Sequence, residues 1–392
     1  MSATPIQPVD ESALPRARSL PIFDPLLLLA GLALAACSYE TLNAIRSSEA
    51  HRQALYAGIG ALLALLISRI DYTRLREFKH GLYGIMIVLN LVVYAMPAIA
   101  KAHRWIHLPL FNFQSSEFGK LLVIVALAAF AVDRSRRLHE WRTTVRIMLL
   151  AIVAALVVIP QPDLGTALVY VAIGISVLFF VGTSWRQLGA LAAIFAAAIA
   201  IGLVGAPAVG VHVLHSYQSD RLTAFFDPSS CGNIPADQYN PCYQLQEAEI
   251  AIGSGQKTGL GPHAYQTKLG NVPAPDTDFV FATVAETYGF AGAALVLSLY
   301  ALLIWRALRI LAMSKNLFGT LIAAGIVAML MFQVFVNIGM TVGIMPVTGV
   351  PLPLVSYGGS SVIVTFLAIG LLESIYVQAR MASAGKRRSL IS

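Results

Sequence analysis

Three carboxylates gather near one point of the chain. Asp276 and Asp278 stand two residues apart, and Glu286 follows two helical turns later. A carboxylate half-way between water and an apolar medium suits proton abstraction from a hydroxyl, because partial desolvation makes it a better base. Asp276 is on the loop side and reads as solvated, hence a weak base. Glu286 sits deeper, in apolar sequence, and Asp278 takes the intermediate place. Residue chemistry leaves the choice open among the three, and each aspartate also suits a helix N-cap. The cations that would accompany such a base are Arg104, Lys120, Arg221, Lys257 and Lys268. Their chemistry fits charge developing on a phosphate-bearing leaving group.

Other polar groups have two readings each. Glu117 and Lys120 are three apart, the spacing of a simple helical ion pair. Lys120 also lies inside an apolar run, where a charge is costly and usually faces a cavity or ligand. Asp163 follows Pro162 and suits a cap for the next helix, or a partner that orients Lys120. The two are expected to approach each other near the cleft of Asp278. Arg104-Trp105 fits an interfacial anchor. The run from Gly253 to Gly261 lacks the glycine before lysine that a phosphate loop needs. It reads as a flexible turn, or as a loop whose N–H groups and Lys257 approach a phosphate. No His/Cys/Asp ligand cluster stands out, so no tightly bound metal is expected. A loosely held divalent cation, Mg or Mn, at a pyrophosphate stays open.

The elements that must position these groups are membrane spans. Of the 392 residues, 57% are hydrophobic and 12% charged, with mean hydropathy +0.72. Soluble domains carry about 25% charged residues, so this composition excludes a water-soluble globule. Apolar runs near 25–45, 54–69, 81–100, 118–132, 147–160, 164–183, 188–210, 279–304, 317–341 and 358–377 give about ten spans in an all-α polytopic membrane protein. Most of the 27 Lys and Arg fall on one side of that arrangement. This puts both termini in the cytoplasm and a large loop, 211–278, outside between spans 7 and 8. The net charge of +7 is therefore topology and not a nucleic-acid surface. Residues 1–23 read as a polar tail, 24–380 as one membrane domain and 381–392 as a basic tail. Cys37 reads as a small buried residue in a span.

Taken in order, several stretches resemble the SEDS family (shape, elongation, division and sporulation), the RodA/FtsW group. They are Arg104-Trp105-Ile106, Gln114-Ser115-Ser116-Glu117-Phe118-Gly119-Lys120, Gln161-Pro162-Asp163-Leu164-Gly165-Thr166, Thr277-Asp278-Phe279-Val280-Phe281 and Leu352-Pro353-Leu354-Val355-Ser356-Tyr357-Gly358-Gly359. The resemblance covers about residues 25–380. It departs from the family's common pattern at Ser115, often proline, and at Ala274 and Asp276, often glutamate and histidine. Residues 229–242 look like a local insertion.

The resemblance implies a peptidoglycan polymerase in the bacterial inner membrane. Such an enzyme joins sugars from lipid II, beside a class B penicillin-binding protein that cross-links the strands. It makes Asp278 the catalytic aspartate. It gives substrate-binding places to Arg104, Glu117, Lys120, Asp163, Arg221, Lys257 and Ser356. A lipid II transporter and a non-catalytic scaffold for cell-wall synthesis remain the alternatives, since intramembrane polar residues suit both.

Cys231 and Cys242 lie eleven residues apart in the external loop, and an oxidising exterior favours their disulfide. In the chain-entropy model it stabilises the loop by about 3 kcal/mol. Intact mass should rise by two hydrogens per molecule on reduction, and an unchanged mass would show free thiols.

Overall fold

The computed structural model describes residues 23–96, 105–107, 112–137, 140–161, 163–201, 221, 224–226, 240–264, 267, 270 and 272–389. The helices are α1 (Pro25–Ile45), α2 (Ser47–Ile67), α3 (Lys79–Val92), α4 (Ser115–Asp133), α5 (Trp141–Val158), α6 (Leu164–Val181), α7 (Trp185–Ala200), α8 (Pro241–Gly255), α9 (Val280–Met313), α10 (Leu317–Thr341) and α11 (Gly359–Ser389). A short antiparallel hairpin, β1 (Trp105–His107) and β2 (Asn112–Gln114), leads into α4. Among the described residues, nine helices are long and apolar enough to cross a membrane. The seventh expected span corresponds to α7, and the end predicted for it, 202–210, lies outside the described residues.

Polar residues set the helix ends. Asp24 caps α1 through the Leu26 and Leu27 N–H groups, ahead of Pro25 at the first helical position. Asp163 accepts from the Thr166 N–H at 3.1 Å and starts α6. Asn316 does the same for α10 through Gly319. The second span begins at Ser47, not near residue 54, because Glu49, His51 and Arg52 are helical despite their polarity. A single residue, Arg46, separates α1 from α2. At the other end, α11 continues through Ser389, so most of the expected basic tail is helical.

Helices α4, α6, α10 and α11 form the interior; 94% of the α11 span is buried against 17% for the span containing α3. Two ends of this bundle differ chemically. One carries ion pairs of Arg76 and Lys79 with Asp133 and of Arg306 with Asp24. The other, the loop face, carries α8, the segment 272–279 and the segment 343–358.

On the loop face the long connection is structured. Helix α8 starts at Pro241, capped by the Asn240 side chain, and packs Ala248 and Ala251 against Phe279, Ala282 and Met340. The glycine-rich run that follows is not a free turn. Its main chain is spent on α9, which breaks at Gly289 (φ 65°, ψ −162°). The Phe290 N–H donates to the Gln256 carbonyl at 2.8 Å and the Ala291 N–H to that of Lys257 at 3.1 Å. The Leu260 N–H returns a bond to the Glu286 carbonyl at 2.8 Å. Glycine is needed here for contact: a Cβ on Gly255 would overlap the Ala285 carbonyl, and one on Gly259 the Thr287 carbonyl.

Two glycines of α8 make a controlled comparison. A Cβ on Gly253 meets open space, whereas one on Gly255 meets backbone. Gly255→Ala should lower stability by about 2 kcal/mol or more, and Gly253→Ala should leave it unchanged or slightly raised. Thermal unfolding in detergent checks this, and equal melting temperatures for the two variants would contradict the packing described.

Candidate active site

Asp278 ends a segment whose main chain is fixed residue by residue. The Thr283 hydroxyl donates to the Pro275 carbonyl at 2.9 Å, and the Tyr357 N–H donates to that of Asp276 at 2.7 Å. The Ser356 hydroxyl takes the Thr277 carbonyl at 2.6 Å, and the Asn337 amide takes that of Asp278 at 2.9 Å. Asn337 also donates to the Val350 carbonyl at 2.7 Å, so one side chain of α10 ties the two loop segments together. The half-buried Asp278 carboxylate then faces Arg221 over Gly349. A Cβ on that glycine would lie 3.5 Å from Asp278 Oδ2 and 3.6 Å from Arg221 Nη1. Gly349 itself has a φ of 74°, a conformation suited to glycine.

The segment 343–358 is held from behind. Ser38 of α1 donates to the Val355 carbonyl at 2.8 Å, and Gln53 of α2 donates to the Ser356 carbonyl at 2.9 Å. The Tyr300 hydroxyl of α9 takes the Pro353 carbonyl. Sequence reading missed Ser38, Gln53 and Tyr300. Their signal was polar groups in apolar spans, which in lipid must find partners. Ser356, expected to bind substrate, is buried; its hydroxyl donates to Thr277 and accepts from the Leu352 N–H at 2.8 Å. It is a positioning residue.

A second polar group sits where α4 and α6 begin. Lys120 Nζ lies 2.6 Å from Glu117 Oε1, with both side chains at most 2% exposed. Lys120 and Asp163 make no direct ion pair, and the Asp163 oxygens have other partners. Oδ1 accepts the Thr166 N–H, and Oδ2 accepts the Ser116 hydroxyl at 3.1 Å and the Gln114 amide at 3.4 Å. Tyr170 donates to the Ser116 carbonyl at 2.9 Å, and Gln161 and Ser115 both bond Asn90. This network borders the Asp278 site, since a Cβ on Gly165 would overlap Val350, next to Gly349.

The remaining candidates separate. Asp276 is not solvated as expected. Its side chain is 16% exposed, and burial, with the neighbouring Glu49 carboxyl adding to it, pushes its carboxyl up. Glu286 is fully buried and accepts from the Thr267 N–H at 3.0 Å and from its hydroxyl, which fastens the loop to α9. Lys257 is exposed. Arg104, Lys268 and Cys231 lie outside the described residues. Cys242 is disulfide-bonded and Cys37 is a free thiol in α1. Among the described residues no group of three or more His, Cys, Asp or Glu side chains is placed to hold a metal ion.

A family model for FtsW, RodA and SpoVE, described as cell cycle protein, matches residues 20–381. The chain belongs to this family. The chain is 36% identical to the peptidoglycan glycosyltransferase MrdB of Escherichia coli K12 over 92% of its own length and 95% of that protein's. It is 36% identical to a probable peptidoglycan glycosyltransferase FtsW of Thioalkalivibrio sulfidiphilus, over 83% and 79%. Among solved structures, a chain of a peptidoglycan synthase complex coordinating polymerization and crosslinking superposes with TM-score 0.77 at 30% identity, covering 92% of this chain and 99% of that one. The rod shape determining protein RodA of Thermus thermophilus superposes with TM-score 0.64 at 28% identity, covering 92% and 98%. This FtsW/RodA/SpoVE chain shares with them the helical membrane fold, and is a multi-pass membrane protein.

The buried Glu117–Lys120 pair yields a stability test. Lys120→Met leaves Glu117 as an uncompensated buried charge and should cost about 3–5 kcal/mol. Glu117→Gln with Lys120→Met should recover most of that loss in unfolding measured in detergent. A double variant no more stable than the single would show that the two charges do not depend on each other.

Proposed function

We propose that the protein is a peptidoglycan glycosyltransferase of the inner membrane that extends glycan strands in elongation or division. Lipid II is the donor, and the reaction runs on the loop face, which is the extracytoplasmic face of the membrane. The carrying observation is the Asp278 carboxylate, held on a fully bonded segment and facing Arg221 across Gly349. Relatives named as peptidoglycan glycosyltransferases support the reading.

In this mechanism the acceptor sugar hydroxyl gives its proton to Asp278 Oδ as its oxygen attacks the anomeric carbon of the donor sugar. The bond from that carbon to the lipid pyrophosphate breaks, with inversion from the α-linked donor to a β-linked strand. Arg221 stands opposite the base and takes charge developing on the leaving pyrophosphate. Lys257, exposed on the strap beside the α9 break, and Arg104 supply further cations to the same groups. Glu117, Lys120 and Asp163 act as a buried, hydrogen-bonded support for that wall and are not solvated contacts. The carboxylate does not need to move, because its main chain is already fixed. A divalent ion, Mg or Mn, would add electrophilic help at the pyrophosphate. A class B penicillin-binding protein is the partner that cross-links the product, in line with the similar chain from a synthase complex.

Purified protein with labelled lipid II tests the assignment. Asp278→Asn keeps the side chain's shape and its capping capacity but removes the base. It should fold, insert and polymerise at least about 100-fold more slowly. Near-normal chain growth by this variant would remove Asp278 from catalysis. Transfer of lipid II between leaflets without polymer in the unaltered protein would instead favour a transporter.

A further inference from the structure

The loop-face end of α2 carries another polar cluster, which includes Asp276, two residues before Asp278. Arg46 Nη1 lies 3.0 Å from Glu49 Oε1 and 3.9 Å from Asp276 Oδ2. Two carboxyls thus converge on one guanidinium nitrogen. The other Glu49 oxygen, Oε2, is buried and has no hydrogen-bond donor among the described residues. The Glu49 and Asp276 side chains are 20% and 16% exposed.

Among the described residues, the surroundings do not balance this charge. From α2, Arg52 lies beside the Tyr357 hydroxyl, and Tyr56 packs nearby. From the segment 343–358, the cluster meets Tyr357, whose phenol burial holds in its neutral form. His51 turns Nδ1 to the Ser47 carbonyl and its ring to Tyr39. Arg46 is therefore the cation within ion-pair reach of both acids. Two carboxylates in contact cannot both ionise cheaply, and a buried carboxylate oxygen without a donor is costly. One proton between them removes both costs. It supplies the donor that Glu49 Oε2 lacks, and it reduces the trio with Arg46 to no net charge.

We propose that Glu49 and Asp276 hold one proton in common, and that this carboxyl pair is a positioning element for Asp278. The pair touches neither substrate nor reacting atoms. It fastens the side chain of Asp276 to α2, while the Asp276 carbonyl is fastened to the Tyr357 N–H at 2.7 Å. Asp278 follows two residues later on the same segment. Loss of the shared proton sets two negative charges against each other and pushes that segment away from α2. The role deepens the glycosyltransferase reading and rests on it.

The direction of pH dependence follows. Burial pushes the Asp276 carboxyl up, and Glu49 adds to it, against the opposing effects of its own backbone N–H and, least, of Arg46. The native chain keeps a proton that the unfolded chain has already released, so rising pH through the native value removes the pair's contribution. Polymerisation and thermal stability should both decline on that alkaline side. Asp276→Asn and Glu49→Gln each replace the shared proton with a permanent N–H donor. Both variants should remain active and lose that decline.

The experiment uses the full chain in nanodiscs. It records polymerisation of lipid II, thermal unfolding and the infrared band of protonated carboxyls across the pH range. The expected result is one band component that titrates in step with the unaltered protein's rate and is missing from both variants, whose rates stay flat. Asp276→Ala, which keeps neither donor nor acceptor, should lower kcat by about 10-fold to 100-fold with little change in KM. A band component that persists in both variants, or an alkaline decline unchanged in Asp276→Asn, would overturn the proposal. If Asp278→Asn polymerises normally, the catalytic reading fails. The infrared component and the pH dependence of unfolding still decide whether the pair shares a proton.

Discussion

Four consecutive peptide carbonyls, from Pro275 to Asp278, each accept a hydrogen bond from a different residue. The donors come from α9, from the segment before α11 and from α10. Irregular backbone near a membrane is tolerated when every polar group finds a partner in protein. That requirement explains the density of buried side-chain donors around the site. Asn337 bonds two carbonyls, Ser356 acts as donor and acceptor, and Gln53 reaches both the Ser356 carbonyl and the Gly358 N–H. The Asp278 side chain is thus aimed by its main chain toward Gly349 and Arg221.

The network at the start of α4 and α6 obeys the same constraint in a different material. Its acceptors are side-chain carboxylates and amides, and its one formal cation, Lys120, is matched by Glu117. A buried pair of this kind contributes little net stability, but removing either member is costly. Such a network resists drift of the wall that Val350 shares with Gly165.

Much of this was legible in the sequence. Apolar run length predicted nearly every span, because in hydrocarbon a helix must satisfy its own backbone. Asp163 as a cap was legible from its place after Pro162 and before an apolar run. What misled was sidedness. Lys120 on an apolar run looked like a ligand group, yet i,i+3 geometry gave it Glu117 first. The resemblance gave Ser356 a substrate-binding place, and the Gly253–Gly261 run read as a turn or as a loop approaching a phosphate. The structure spends both on other backbone, a long-range contact that no local spacing encodes. Asp276 looked solvated because its partners, Arg46 and Glu49, lie more than two hundred residues away in the chain.

The break at Gly289 divides α9 into two mechanically distinct rods. A continuous helix passes torque from end to end through its hydrogen-bond ladder. Here the ladder is interrupted, and the lost bonds are taken over by Gln256 and Lys257. Rotation of the lower rod, whose Leu297, Trp305 and Leu308 face outward, is therefore not geared directly to the upper one. It reaches the Asp278 segment through the strap and α8, and through the Tyr300 hydroxyl on the Pro353 carbonyl. Movement of the membrane-embedded half is thus passed to the Asp278 end through a few side contacts in place of a continuous helical ladder.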